Sequence, residues 1–457
     1  MAFWHPLDRR SVPGRSVYLL LSVLVIIVYG LTAPPSLTWS HWGSDGGNLI
    51  TAAVTGRIPH PPGFPAYLYV ARVMVTAFRQ DPARLLTVLS ALLATGTVVL
   101  VAATLRRRSL HWLVVTAASL SLAFGYAFWS QAIIVEVYAA AAFIGALVFY
   151  LTKNLVSPGF IASVAVGLVL GLAVSVHLTL AALTVYLLVD GRVRRGPALL
   201  GLWVGLVPYA LTPLWGPWPQ PWGDLRSLGG WAEYVSARLY WGNAFALPMR
   251  YWLQRLIAWL ALMSRQFSPF GILFVVPGVA VLVREHRRTA IGIGLTLIVA
   301  SVYAMTYNTP DSWTYLIGYL PLLAYCLALG LDWALDQGMP AWLCLILPLM
   351  LLTMNWSRVD LSGDTEATVW LEATLSALPS DAVILTHEDR YTFALWYATD
   401  AVGRRPDLLV VDERLWGYLP YRAYIEQQTG QPIARLRDLA SARPFCELDS
   451  WGAVVCW

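Results

Sequence analysis

Long runs of apolar residues dominate this chain and recur from residue 17 to residue 356. Each run is close to the roughly 20 residues that a helix needs to cross the hydrocarbon core of a bilayer, at about 1.5 Å per residue. Of the 457 residues, 58% are apolar and 12% are charged, against roughly 45 to 50% and about 25% in soluble globular domains. A single water-soluble domain is therefore excluded, and the sequence predicts a polytopic α-helical membrane protein.

The apolar runs predict about eleven transmembrane helices. Residues 160–189 fit either one over-long helix or two short helices that are broken at His177. Two helices are preferred, because a single one would move the basic cluster after residue 190 to the other membrane face. The predicted helices cover residues 17–31, 85–105, 110–129, 137–152, 160–176, 178–189, 197–215, 268–283, 289–307, 313–331 and 341–356.

Basic residues form clusters beside the predicted helices, and such an excess is typical of cytoplasmic loops. Placing every cluster inside puts the N-terminus in the cytoplasm and, with an odd number of helices, the C-terminus outside. The protein is then a multi-pass protein of the inner (plasma) membrane, with a first outer loop at 32–82 and a long outer loop at 216–267. Residues 250–263 are predicted to be an amphipathic surface helix. The clusters are Arg9, Arg10 and Arg15; Arg106, Arg107 and Arg108; Lys153; Arg192, Arg194 and Arg195; and Arg284, Arg287 and Arg288.

This topology accounts for the net charge of +5. Lys153 is the only lysine, so 30 of the 31 basic residues are arginine. That bias carries no indication of a nucleic-acid partner, and none is predicted.

The apolar character ends near residue 356, which divides the chain into a transmembrane domain, 1–356, and an outer domain, 357–457. Strand-like segments at 382–386, 408–412 and 453–457 alternate with helix-like segments at 392–401 and 421–428. This order predicts a small, largely parallel α/β domain. No glycine-rich phosphate loop follows either early strand, so nucleotide binding is not predicted.

Several residues of the outer domain have two interpretations. Cys446 and Cys456 are either bridged, as an oxidising compartment allows, or free. His387, Glu388 and Asp389 follow the first strand and either face a cavity or lie in an exposed turn.

The first outer loop is rich in polar residues. Ser44 or Asp45 is placed to cap a short helix over 46–55, which leaves the Asp45 carboxylate beside a helix N-terminus at the membrane surface. A proline-rich turn follows at 59–65. Spacing alone favours a helix cap for Asp45, whereas polar residues clustered on one side of a membrane favour a functional carboxylate.

An acidic residue followed closely by a proline-rich segment, in the first outer loop of a many-helix protein, resembles the polyprenol-dependent glycosyltransferases of the GT-C superfamily. SDGGNLITAA, from Ser44, and HPPGFPAYLY, from His60, are similar to the D-S-G-E-L and H-P-P-G-Y-P pattern of a bacterial membrane family related to protein O-mannosyltransferases. That family also has an animal branch of transmembrane O-mannosyltransferases. The pattern continues along the chain in WSQAIIVEVYA, SVHLTL, PWGDLRSLGGW, RLYWGN, TFALWY and RRPDLLVV.

The resemblance implies a GT-C fold and transfer of a sugar, mannose or another hexose, from a polyprenyl phosphate to a Ser or Thr hydroxyl of a protein. By family position Asp45 is the base that takes the acceptor proton, and single displacement at the sugar C1 implies inversion. Glu136 either orients the acceptor or the sugar hydroxyls, or is a solvated interfacial carboxylate. His60 and His177 are candidates to donate to phosphate or sugar, and the alternative for His177 is a role in packing or breaking a helix.

A departing phosphate needs cationic partners, and an arginine side chain can bind two of its oxygens at once. Arg238 in the long outer loop is the preferred candidate, followed by Arg57, Arg72 and Arg265, although most outer arginines contact lipid headgroups. Asp224 is either a second site carboxylate or the cap of the following turn.

The sequence departs from the family pattern at Asn48, where Glu is usual, and at Gly46, where Ser is usual. Asp45 and Glu136 alone would make a sparse metal site, so no cofactor or metal is assigned, and a divalent metal stays an open alternative.

The expected partners are the polyprenyl phosphate-linked sugar, the acceptor and membrane lipids. A lipid or cell-envelope glycan is the alternative acceptor. A transporter or lipid flippase is the alternative of another class, although no internal repeat supports it.

Overall fold

The computed structural model describes residues 15–78, 80–155, 159–441, 443–449 and 451–457. Arg9 and Arg10 of the first basic cluster lie outside the described residues. In chain order the helices are α1 Arg15–Thr32, α2 Gly46–Thr55, α3 Pro65–Ala77, α4 Pro82–Arg106, α5 Trp112–Ala123, α6 Tyr126–Ala132, α7 Tyr138–Asn154, α8 Phe160–Val176, α9 Leu183–Asp190, α10 Arg195–Gly205, α11 Val207–Ala210, α12 Leu228–Val235, α13 Trp252–Glu285, α14 Arg287–Thr306, α15 Leu320–Asp336, α16 Ile346–Val359, α17 Glu366–Ala377, α18 Asp389–Trp396 and α19 Leu419–Thr429.

Short 3-10 helices extend or separate several of these helices, and four of them border the site described below: Ser40–Asp45, Leu178–Ala182, Arg238–Asn243 and Ser312–Tyr319. The strands are β1 Val383–Thr386, β2 Leu409–Asp412, β3 Phe445–Leu448 and β4 Val454–Cys456.

Each of the eleven predicted helices has a helical counterpart at its place in the chain. By length and composition, six helices among the described residues are long and apolar enough to cross a membrane, and a bent pair, α5 with α6, makes a seventh if it is one span. Three shorter apolar helices accompany them. The number of eleven crossings stays a prediction. The six long spans are Pro82–Arg106, Arg195–Leu214, Met249–Glu285, Arg287–Thr306, Ser312–Asp336 and Ala341–Val359.

The break predicted at His177 is confirmed. α8 ends at Val176, and His177 has extended backbone (φ −157°) before the next helical segment begins at Leu178. The boundary predicted at Ser268 is also present, as a left-handed residue (φ 59°) followed by Pro269 inside α13. Pro269 has no backbone N–H and cannot make the helical hydrogen bond at its position, and such a missing bond is a common cause of a kink.

The helix predicted over 110–129 is present as two helices, α5 and α6, which meet at a bend of 65°. Gln266 of α13 fills the bend. Its Oε1 accepts from the Phe128 backbone N–H at 2.9 Å, and its Nε2 donates to the Leu122 carbonyl at 3.1 Å. The amide therefore satisfies backbone groups that the bend would leave unpaired in a buried position.

Helices α8 and α10 pack closely through glycines four residues apart on each helix. A β-carbon on Gly167 would lie 1.9 Å from the Ala198 carbonyl oxygen, and one on Gly201 would lie 2.0 Å from the Val164 carbonyl oxygen. Gly171 and Gly205 face each other one turn further along. Small residues at this spacing let membrane helices approach at backbone contact.

One end of the bundle gathers four of the five predicted basic clusters. Arg108 forms an ion pair with Glu285. Lys153, buried at the end of α7, lies 3.8 Å from the buried Asp190 carboxylate, and Arg192 lies 3.4 Å from it. These clusters therefore share one end of the fold, as the predicted topology requires.

The C-terminal part forms a four-stranded sheet in the order β2-β1-β3-β4. β1 is parallel to both β2 and β3, whereas β4 is antiparallel to β3. The sequence identified β1, β2 and β4 but missed β3. Cys446 and Cys456 form a disulfide that joins β3 to β4. The boundary between the two predicted domains, at residue 356, stays a prediction.

Candidate active site

A cavity of about 420 Å³ lies among the predicted outer loops, between the transmembrane helices and the C-terminal part. Four residues that the sequence singled out, Asp45, His60, Glu136 and His177, line it together. Segments distant in the chain complete the wall: Ala237, Tyr240, Asn243, Tyr303, Tyr307, Thr309, Pro310, Asp311, Tyr315, Asp389 and Phe393.

Asp45 occupies the N-cap position of α2 but makes no capping hydrogen bond with its side chain. The loop before it is shaped by His41 and Trp42, which both have left-handed backbone with φ of 56° and 67°. The Asp45 carboxylate faces the cavity, with 35% of the side chain accessible. The side chain is therefore free to act on a molecule in the cavity.

His60 stands beside Asp45, with its Nε2 3.5 Å from Asp45 Oδ2. Asn48 Oδ1 accepts from the His60 backbone N–H at 2.8 Å and lies 2.9 Å from His60 Nδ1. Because an amide oxygen only accepts, Nδ1 carries the ring proton and Nε2 presents its lone pair to Asp45. Burial, with the nearby His177 as a smaller cause, lowers the pKa of His60 to about 4. His60 is therefore a neutral acceptor that can receive a hydrogen bond from Asp45 once that carboxyl group is protonated.

Glu136 lies in the turn between α6 and α7, with 3% of its surface exposed. Burial raises the pKa of Glu136 well above its ordinary value, and the Asp45 charge raises it further. Burial likewise raises the pKa of Asp45, with Asp389 and Asp311 as added like charges. A like charge nearby disfavours the ionisation of a carboxyl group, so the ionisation of Asp45 and that of Glu136 are linked. The two carboxyl groups therefore titrate as a pair.

His177 forms part of an aromatic wall of the cavity. Its ring stacks on Phe64 at 5.7 Å and contacts Tyr315 at 5.2 Å and Tyr138 at 5.6 Å between centroids. Its Nδ1 lies 2.7 Å from the Thr179 hydroxyl. The residue thus both breaks a helix and faces the cavity.

Sequence reasoning missed Asp311 and the tyrosines of the aromatic wall. Asp311 precedes the 3-10 helix Ser312–Tyr319 and makes no capping hydrogen bond. It looks in sequence like an ordinary loop residue between two helices. Tyr303, Tyr307 and Tyr315 lie within thirteen residues around Asp311. This concentration of tyrosines was the sequence signal that could have identified the segment as part of the site.

Of the three polar residues after β1, only Asp389 reaches the cavity. His387 lies between Glu413 and Glu447, at 2.9 and 2.8 Å. Glu388 pairs with its neighbour Arg390. The sequence left these three indistinguishable.

The remaining predicted site residues lie outside the cavity wall. Arg238 is 62% exposed and pairs with Glu233 at 2.5 Å. Asp224 is exposed as well and forms a turn with Arg226, accepting from its backbone N–H at 3.1 Å and from its guanidinium.

Two further arginines of the prediction serve internal contacts. Arg57 pairs with Asp400 at 2.6 Å and donates to the Tyr424 hydroxyl. Arg72 lies over the Trp215 ring at 3.9 Å and donates to the Arg57 carbonyl at 2.6 Å. None of these four residues, Arg57, Arg72, Asp224 and Arg238, is among the residues that line the cavity.

A second chamber of about 340 Å³ adjoins the cavity and shares Trp42 and Pro310 with it. Arg255 and Arg265, both on α13, line this chamber among aromatic and aliphatic side chains. Arg255 donates to the Thr309 carbonyl at 2.9 Å and the Ser312 hydroxyl at 2.7 Å. Among the described residues, neither arginine forms a salt bridge with a carboxylate, so both charges are available to an anion.

Within the part of the chain that the structure describes, no three His, Cys, Asp or Glu residues are grouped so that they could hold a metal ion.

Residues 45–190 match the family model of the protein O-mannosyl-transferase TMEM260 N-terminal domain. The match begins at Asp45 and contains His60, Glu136 and His177. The resemblance to a membrane family related to protein O-mannosyltransferases, stated from the sequence, is thereby confirmed.

The whole chain is similar to solved structures of other membrane proteins. It matches ArnT from Cupriavidus metallidurans in the apo state with a TM-score of 0.62 and 14% identity, over 94% of this chain and 92% of that chain. For ArnT bound to undecaprenyl phosphate, the TM-score is 0.54 with 16% identity over 88% and 90%. An Archaeoglobus fulgidus oligosaccharyltransferase, tethered with an acceptor peptide, matches with a TM-score of 0.51 and 11% identity over 91% and 68%. The chain therefore has the fold of GT-C glycosyltransferases and is a multi-pass helical membrane protein.

Proposed function

We propose that this GT-C protein is a glycosyltransferase that moves a sugar, mannose or another hexose, from a polyprenyl phosphate to a Ser or Thr hydroxyl of a protein. The observation that carries the proposal is that Asp45 and Glu136 line one cavity, and that Arg255 and Arg265 line the chamber beside it. The family match supports the O-mannosyl class of reaction. The undecaprenyl phosphate bound by ArnT supports a lipid carrier of this kind.

In the proposed reaction the acceptor oxygen attacks C1 of the sugar on the face opposite the phosphate. The bond from C1 to the phosphate oxygen breaks, and polyprenyl phosphate leaves with the electron pair, so the configuration inverts. Asp45 takes the hydroxyl proton as the general base. His60 Nε2, 3.5 Å away, then accepts a hydrogen bond from the protonated carboxyl group. Glu136 orients hydroxyl groups of the acceptor or the sugar.

The leaving phosphate is assigned to the chamber of Arg255 and Arg265. A guanidinium fork fits a phosphate with two parallel hydrogen bonds, and charge that develops in a water-poor site gains most from such groups. This assignment replaces Arg238, which is exposed and already paired with Glu233. Arg265, a lesser candidate of the sequence, becomes a main one.

The proposed orientation places the cavity and the C-terminal part on the outer face of the plasma membrane and the basic end in the cytoplasm. The common location of four basic clusters supports it. The positive-inside bias then gives the direction.

A lipid acceptor is the second candidate, favoured by one observation. An apolar groove of about 630 Å³ runs between the segment 178–185 and α14, and shares Leu178, Thr179 and Tyr303 with the cavity. Among the described residues, those that line it are apolar apart from Thr179 and the hydroxyl of Tyr303. Such a groove suits a hydrocarbon chain attached to the acceptor.

The test is a transfer assay with the purified full chain in lipid nanodiscs and a panel of polyprenyl phosphate hexoses. A Ser/Thr-rich peptide and a membrane lipid extract serve as acceptors, and mass spectrometry identifies which of them gains the sugar. We expect Asp45→Asn to abolish transfer while Asp224→Asn, an exposed aspartate outside the cavity, retains it. Transfer by Asp45→Asn at the unmodified rate, or no transfer from any donor by the unmodified protein, would overturn the proposal.

A further inference from the structure

Arg414 connects the sheet of the C-terminal part to the catalytic cavity through two carboxylates. Its Nη2 donates to Asp412 Oδ2 and to Asp389 Oδ1, both at 2.7 Å. Asp412 ends β2 with 1% of its surface exposed, and it also accepts from the Thr392 hydroxyl at 2.9 Å. The buried Asp412 carboxylate therefore holds the guanidinium through Nε and Nη2, and the same Nη2 holds Asp389.

Asp389 presents a partly unsatisfied carboxylate to the cavity. It is the first residue of α18, and Phe393, one turn later, lines the cavity too. Among the described residues only Arg414 donates to Asp389, and it does so to Oδ1. The second oxygen, Oδ2, is therefore available to a molecule in the cavity.

This arrangement distinguishes Asp389 from the other carboxylates in its neighbourhood. Glu388 and Glu413, close in sequence to Asp389 and Arg414, pair with Arg390 and His387 and do not line the cavity. A surface ion pair contributes little to stability. Asp389 has one oxygen held by Arg414 and the other available to a ligand, and this arrangement is expected of a binding residue.

We propose that Asp389 binds a hydrogen-bond-donating group of the acceptor, next to the hydroxyl that Asp45 deprotonates, and that Arg414 positions it. An ionised carboxylate only accepts hydrogen bonds, so the group it recognises is a hydroxyl, an amine or an amide N–H. The proposal rests on the proposed function. It adds a role for the C-terminal part, whose Asp389 would select the acceptor in the cavity.

The charges in and around the cavity assign Asp389 to the acceptor rather than to the donor phosphate. A phosphate placed against an anionic carboxylate is repelled, whereas Arg255 and Arg265 offer it two cations in the adjoining chamber. That chamber meets the cavity at Trp42 and Pro310, and neither Asp389 nor Phe393 lines it. The donor phosphate and the Asp389 carboxylate are thus kept apart.

The experiment compares Asp389→Asn, Arg414→Gln and Arg414→Lys in the full chain, with Glu388→Gln as the matched control from the same helix start. The probes are the Ser/Thr-rich peptide, the best polyprenyl phosphate sugar of the panel, and water as a minimal acceptor. We expect Asp389→Asn to raise the KM for the peptide about tenfold or more, as loss of a hydrogen bond to a charged group implies. The KM for the donor and the rate of donor hydrolysis by water should change less than threefold.

Arg414→Gln should follow Asp389→Asn, and Arg414→Lys should restore part of the peptide affinity, because a positioning role needs the cation and not its exact shape. An unchanged KM for the peptide in Asp389→Asn, or an equal rise for the donor, would overturn the inference. If Asp389→Asn does not fold, the two Arg414 variants decide by the same criterion. A failure of the proposed function differs from both results, because then the unmodified protein itself transfers nothing.

Discussion

Gly47 lies against the backbone of Phe393, so closely that a β-carbon at position 47 would come within 2.4 Å of the Phe393 carbonyl oxygen. This contact seats α18 on α2. Asp45 lies two residues before Gly47, and Asp389 lies four residues before Phe393. The contact between the two backbones therefore sets how Asp45 and Asp389, two of the carboxylates in the cavity, face each other.

Gly47→Ala should reduce both stability and transfer. Alanine favours a helix over glycine by about 1 kcal/mol, but the new methyl group meets backbone atoms that cannot rotate away, and overpacking costs about 1 to 3 kcal/mol. We expect a lower melting temperature and at least a tenfold loss of transfer rate. Gly417→Ala is the control, because a β-carbon there meets nothing within 4 Å. Equal behaviour of the two variants would show that the contact does not hold the site together.

The pH dependence of transfer should report the crowding of carboxylates around Asp45. The base acts in its ionised form, and burial, with Asp389 and Asp311 nearby, raises the pKa of Asp45. Activity should therefore fall as pH drops through a value above the roughly 3.9 of an ordinary aspartate. Asp311→Asn removes one like charge, which lowers the pKa of Asp45 and moves the acidic limb of kcat/KM to lower pH. A limb that stays in place would argue against Asp45 as the titrating base.

Arg265→Gln should weaken donor binding far more than Arg238→Gln. Arg265 lines the chamber beside the cavity, whereas Arg238 is exposed and paired with Glu233. Loss of a hydrogen bond between charged groups costs about 1.5 to 3 kcal/mol. We expect a rise of tenfold or more in the KM for the polyprenyl phosphate sugar in Arg265→Gln and less than twofold in Arg238→Gln. A larger rise in Arg238→Gln than in Arg265→Gln would contradict this assignment and favour a phosphate site in the long outer loop.

Asn48→Ala should lower kcat by about tenfold with little change in either KM. The variant removes the oxygen that holds the proton on His60 Nδ1, so the imidazole is free to adopt the other tautomer and turn a proton toward Asp45. Asn48→Asp keeps the accepting oxygen and should retain more activity than Asn48→Ala. Steady-state kinetics on the three proteins, with circular dichroism as a check of folding, makes the comparison. Equal kcat values in the three proteins would show that the tautomer of His60 does not affect the reaction.

The sequence predicted the parts of the site that depend on local order along the chain. Asp45, His60, Glu136 and His177 were found because loops that emerge on one side of a membrane bring their polar residues to one surface. The break at His177 followed from helix length and from the position of the next basic cluster.

Other parts of the cavity depend on contacts between distant segments. Asp311 and Asp389 reach the cavity only through folding of segments more than 260 residues from Asp45. Arg238 was preferred because it lies in a long outer loop, but Glu233, five residues earlier, already neutralises it. Strand β3, Phe445–Leu448, was missed because its sequence FCEL contains a charged residue and no run of β-branched residues. Pairing with β1 stabilises it.

The family match, residues 45–190, contributes the proposed base, its histidine and Glu136. The opposite walls come from residues 237–243, 303–315 and 389–393. Under the proposed function, the residues for chemistry and those for acceptor selection would lie in separate stretches of the chain. A relative could exchange its acceptor by changes confined to the later stretches while the reaction stays the same, and a fragment limited to the matched stretch would have a base without a chamber in which to use it.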